Sequence, residues 1–153
     1  MKLFISWSGS RSKAVAEAFY EWLPAVIHAV KPWFSPDMDK GSRWNTEISG
    51  QLQNSNFGLI CLTAENLNSP WILFEAGALS KTLEKTFVCP YLLDIGPDVL
   101  RGPLAQFQST KFNRDDTKKL LETINNTLGS NSLSQKILDA QFEKWWPDLE
   151  EKF

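Results

Sequence analysis

Apolar residues along the chain gather in short unbroken runs, and between those runs they recur three and four positions apart. Four runs predict buried strands: Lys2–Trp7, Pro32–Ser35, Phe57–Thr63 and Val88–Asp94. A weaker fifth, Phe107–Phe112, follows a turn at Gly102 and Pro103. After the first run, Ala14, Val15, Ala18, Phe19, Trp22, Leu23, Val26, Ile27 and Val30 trace one helical face. Pro24 interrupts that face, so a kink or a restarted turn is expected there. Trp44, Ile48 and Leu52 mark a second helix, and Ser69-Pro70 opens a third along Ile72, Ala76, Leu79 and Leu83. Pro97–Ala105 predicts no more than a helical turn. Leu120, Leu121, Ile124 and Leu128 predict a helix capped by Asp115 or Asp116. Beyond a turn at Gly129–Ser132, a last amphipathic helix carries Leu133, Ile137, Leu138, Phe142, Trp145, Trp146 and Leu149.

Strand and helix therefore alternate from residue 2 to about residue 128, with central strands apolar on both faces. That pattern predicts an α/β fold: a five-stranded parallel sheet with helices on both faces, plus a C-terminal amphipathic helix. The expected organisation is one domain over 1–128 and a helical extension over 129–153 packed on or next to it. In open sheets of this type, ligands bind beyond the carboxyl ends of the strands. Three segments meet there in the predicted topology: Trp7–Lys13, Ser35–Trp44 and Thr63–Glu75.

Composition narrows the classes. A chain of 153 residues, 42% hydrophobic and 22% charged, suffices for a core that needs neither disulfide nor metal. A net charge of −2 gives no basic footprint for nucleic acid or an anionic membrane. No apolar run approaches the ~20 residues of a membrane span. The opening MKLFISWS enters a strand pattern directly, without the features of a signal peptide, so a cytoplasmic location is expected. Cys61 and Cys89 lie in strand-like runs and are expected to be buried, reduced thiols. Two cysteines and one histidine do not build a zinc site, so no metal is expected. That histidine, His28, is expected inside the first helix, far from the strand ends.

Dinucleotide-fold and P-loop glycine motifs are absent, as is a nucleophile elbow. In "FISWSGSRSK" a strand runs into a helix through small polar residues. N–H groups at such a helix start can hold a phosphate, with Arg11 assisting, but capping by Ser8 or Ser10 explains this stretch as well. "FSPDMDKGSRWNTEI" is a polar loop whose Trp44 either stacks on a flat ligand ring or begins the core face of its helix. The sharpest signal is Glu75, which falls on the buried stripe of its helix, one turn beyond Trp71. It stands too late in the helix to be a capping-box glutamate. A buried carboxylate is costly unless paired or used. Either Glu75 marks a site, or it bridges to Lys81, Arg11 or Arg43.

These stretches resemble the Toll/interleukin-1 receptor (TIR) domain family. "LFISWS" is similar to its first strand motif, and "PWFSPDMDKGSRWNTEI" to the second strand, the BB loop and the following helix. "FGLICLTAENLNSPWILFEAGALSK" resembles the third strand and the helix with the catalytic glutamate of TIR NADases; "FVCPYLLD" fits the fourth strand. The resemblance spans about residues 1–128, and its flavour is that of bacterial antiphage-defence members. It implies a flavodoxin-like fold and cleavage of the nicotinamide–ribose bond of NAD+, giving nicotinamide and ADP-ribose or a cyclic isomer. It implies Glu75 as the catalytic carboxylate and Trp7, Ser8, Gly9, Ser35, Asp37, Arg43, Trp44 and Trp71 as NAD+-binding residues, with Trp7 where a tyrosine is usual. NAD+ is then substrate, and no cofactor is implied. The implied partners are other copies of the domain, through TIR–TIR contacts, and a sensor domain or protein that triggers assembly. The alternative within the family is a non-enzymatic scaffold that signals by homotypic assembly.

Overall fold

The computed structural model describes residues 1–34, 55, 57–67, 87–100, 105 and 107–153. The elements are β1 (Lys2–Ser6), α1 (Ser10–Val26), β2 (Lys31–Phe34), β3 (Phe57–Leu62), β4 (Phe87–Leu92), β5 (Thr110–Lys111), α2 (Arg114–Asn126) and α3 (Gln135–Glu150). The five strands form one parallel sheet in the order β2-β1-β3-β4-β5. This is the flavodoxin-like order, in which the chain reverses its direction of winding between β1 and β3. The register pairs Leu3 with Pro32 on one side and with Phe57 on the other, and Leu59 with Cys89.

Leu3, Ile5, Trp7, Leu59, Cys61 and Tyr91 project to one face and share a core with α1, α2 and α3. Phe4, Ile60 and Leu92, which alternate with them, are buried on the opposite face. Burial on both faces explains why these strands read as unbroken apolar runs. The predicted helices around Trp44–Leu52 and Pro70–Leu83 lie outside the described residues. Among the described residues, no helix is long and apolar enough to cross a membrane.

Several element limits differ from the sequence expectation. α1 carries Pro24 within it and ends at Val26, where Ile27 turns extended while its N–H still donates to the Leu23 carbonyl at 2.9 Å. Ile27 and Val30 are buried nonetheless, in the turn that leads to β2. His28 therefore sits exposed in that turn rather than in the helix. The cap of α2 is Asn113, whose side chain accepts from the Asp116 N–H, not Asp115 or Asp116. Asp116 instead accepts from the Lys111 N–H, joining the helix start to β5. The fifth strand is only Thr110–Lys111, and Pro97–Val99 is a single 3-10 turn. Ser134 caps α3, so Leu133 lies outside it, held by two hydrogen bonds with the Asn125 amide. Ile137 is exposed, since the buried stripe runs through its neighbour Leu138 to Phe142, Trp146 and Leu149.

Candidate functional site

The exits of β1 and β3 lie side by side at the carboxyl edge of the sheet, because β1 and β3 pair up to Ser6 and Ile60. Trp7 leaves β1 with its indole buried at 7% exposure and the Lys13 ammonium 5.3 Å from its ring centre. Ser8 is half-buried. Gly9 is the N-cap of α1, with φ +89° and ψ 159°, a conformation that side-chain-bearing residues essentially avoid. Capping by a serine is therefore not what starts this helix. Gly9 turns the chain, and α1 begins without a side-chain cap. The N–H groups of the first turn consequently have no partner within the helix.

Two buried polar side chains bind this loop to the exit of β3. The Ser12 hydroxyl donates to the Cys61 carbonyl at 2.8 Å and accepts from the Ser8 N–H at 3.1 Å. The Asn66 amide nitrogen donates to the carbonyls of Ser8 and Cys61, both at 3.0 Å, and its oxygen accepts from the Thr63 N–H at 2.8 Å. Asn66 thus takes over the hydrogen bonding of β3 where the ladder stops. Sequence reasoning missed both residues. The available signal was an asparagine three residues after Thr63, the spacing at which a side-chain amide closes a turn on the backbone.

Arg11 extends the linkage to β4. Its guanidinium pairs with Glu65 at 3.1 Å and with Asp94, which adopts φ 60° just beyond the end of β4. Asparagine and aspartate tolerate that left-handed region better than most residues. The Thr63 hydroxyl is buried without a hydrogen bond of good geometry among the described residues, yet it lies near enough to Glu65 to favour the ionised carboxylate. With the Glu65 backbone N–H and Arg11, it holds that carboxyl below its ordinary range. A cleft of about 300 Å³ lined by Leu92, Asp94, Gly96, Lys111 and Asn113 continues along this edge. Larger clefts of about 600 Å³ and 690 Å³ lie elsewhere, between α1 and α3 and at the starts of β3 and β4.

Of the site residues expected from sequence, Trp7, Ser8 and Gly9 therefore meet at one strand exit. Ser35, Asp37, Arg43, Trp44, Trp71 and Glu75 lie outside the described residues. Cys61 and Cys89 are free and buried. Burial pushes the Cys61 thiol well above its ordinary range and Cys89 up to about 11, so neither is a thiolate nucleophile near neutrality.

Residues 3–124 match the family model of the TIR domain. The chain belongs to the TIR domain family. The match takes in all five strands, α1 and most of α2, and ends before α3. Comparison with curated proteins finds no match. Among solved structures, the chain is similar to azoreductase from Bacillus anthracis str. Sterne, at 11% identity and a TM-score of 0.47, covering 98% of each chain. In this TIR domain the loops after β1 and β3 are joined at one strand-end position, beside the start of α1 and the buried Trp7.

Proposed function

We propose that this TIR domain cleaves NAD+ at the bond between nicotinamide and ribose, with Glu75 as the catalytic carboxylate. The observation that carries the reading is the Trp71-x-x-x-Glu75 pair within the matched residues 3–124, on the segment that follows Asn66. The described geometry supports it by joining that segment's start to Ser8 beside Trp7 and Gly9.

The chemistry suits a single carboxylate. Nicotinamide departs as a neutral molecule with the bonding electron pair, so its departure requires no proton donor. Positive charge builds on the ribose carbon, and a carboxylate beside the ribose hydroxyls stabilises it. Water then completes hydrolysis, or a nitrogen of the adenine ring closes a cyclic ADP-ribose isomer. Trp7, Ser8 and Gly9, with Ser35, Asp37, Arg43, Trp44 and Trp71, hold the substrate. Activity follows self-association of TIR domains triggered by a sensor or partner, in the cytoplasm, as an antiphage effector. In the scaffold alternative, Glu75 has no chemical task.

The test is replacement of the carboxylate. Glu75→Gln and Glu75→Ala should abolish nicotinamide release while leaving a cooperatively melting chain. Near wild-type turnover in either variant would remove Glu75 from catalysis. Unfolding of both would make it a structural ion-pair member.

A further inference from the structure

The backbone of Ser8 is held at both ends by side chains from other parts of the fold. Its N–H donates to Ser12, Ser12 donates to the Cys61 carbonyl, Asn66 donates to that same carbonyl, and Asn66 also donates to the Ser8 carbonyl. The four bonds close a ring that joins residues 58 positions apart in sequence. Asn66 is 3% exposed, and its amide uses both donors and its acceptor within this ring and the adjoining turn. Aspartate keeps the size but has no donors. Glutamine is longer by one methylene, and an apolar residue would remove all three bonds, leaving the Cys61 carbonyl only its bond from Ser12.

The sheet does not need this ring to hold together. β1 and β3 are already paired through Ser6 and Ile60, each one residue before Trp7 and Cys61 respectively. What the ring adds lies past the strand ends, where, among the described residues, it is the buried link between the two loops and the Arg11–Glu65 pair is the exposed one.

We propose that Asn66 is a positioning residue, which fixes the Ser8–Gly9 loop against the exit of β3 and so sets the shape of the strand-end site. This role rests on the NAD+-cleaving reading and adds to it a residue that does not touch substrate. Ser12 serves the same end from α1.

The test compares wild type, Asn66→Ala and Ser12→Ala. Nicotinamide release should show kcat reduced roughly 10- to 100-fold, the scale of a small misplacement of reacting groups, with KM changed by no more than about threefold. Both variants should still melt cooperatively above the assay temperature. In Asn66→Ala, hydrogen exchange at the Ser8 amide should speed up roughly tenfold, although that amide bonds to Ser12 and not to Asn66. Wild-type kcat in folded Asn66→Ala, or unchanged Ser8 exchange, would overturn the role while leaving NAD+ cleavage standing. No nicotinamide release from wild type would overturn both. If Asn66→Ala does not fold, Ser12→Ala decides by the kcat criterion.

Discussion

The indole N–H of Trp22 on α1 donates to the carbonyl oxygen of Trp145 on α3 at 2.7 Å, across 123 residues of sequence. The same indole meets Phe142 edge-on at 6.2 Å, and Phe142 stacks on Trp146 at 5.6 Å. On its other side, Trp22 meets Phe19, which packs edge-on against Tyr91 of β4. An aromatic chain thus runs from the sheet through α1 to the helix that the TIR match leaves out. Trp146 is 6% exposed and Trp145 only partly buried, as adjacent helical positions about 100° apart require. Trp146→Ala should therefore cost about 3–5 kcal/mol, while Trp22→Phe, which removes the hydrogen bond and part of the ring, should cost about 1–2 kcal/mol. Truncation after Gly129 should give an aggregating or loosely folded chain. Urea unfolding of the three proteins measures this, and a truncated chain with an unchanged midpoint would contradict it.

Tyr91 and Thr117 share a buried hydroxyl–hydroxyl hydrogen bond of 2.9 Å between β4 and the first turn of α2. Tyr91→Phe and Thr117→Val should each cost about 1–3 kcal/mol, because each leaves the other hydroxyl buried without this bond. The double variant should cost clearly less than the sum, a coupling that a double-mutant cycle reads out. Full additivity would mean that the two hydroxyls do not depend on each other.

Alkaline pH should destabilise the fold through three buried groups. Burial raises Cys61, Cys89 and Tyr91, the tyrosine despite its bond to Thr117. A raised folded value means that the unfolded chain releases its proton first. The contribution is complete below the unfolded value and is lost as pH rises toward the folded one. For Cys89 that window runs from 9.0 to about 11. The urea midpoint should thus be flat up to about pH 8 and fall above pH 9, and the fall should be shallower in the Cys61→Ala/Cys89→Ala double variant. An equal fall in both proteins would place the alkaline sensitivity elsewhere.

The parallel sheet was legible in the sequence because its central strands are buried on both faces, which left β1, β3 and β4 as unbroken apolar runs. β5 was overdrawn: only two of its residues pair with β4, and Phe112 is apolar for another reason, packing on Trp146 and Phe153. Helix starts were the least legible. At α1 the serines on either side of Gly9 look like caps, but φ at Gly9 sets the turn. At α2 the acidic pair Asp115–Asp116 looks like a cap, but Asn113 comes first in the geometry. The strand-end loops could be located from topology alone. The ring through Ser12 and Asn66 could not, since it depends on the carbonyls of Ser8 and Cys61, which lie far apart in sequence.

The most direct test of the central claim is the release of nicotinamide from NAD+ by the wild-type chain, measured over a wide dilution series that begins at high protein concentration. NAD+ cleavage by an associating TIR domain predicts release at high concentration and specific activity that falls on dilution, with substitutions in Asp37–Arg43 steepening the fall. Complete absence of nicotinamide at every concentration, from a chain that melts cooperatively and self-associates, would contradict the account and favour the non-enzymatic scaffold.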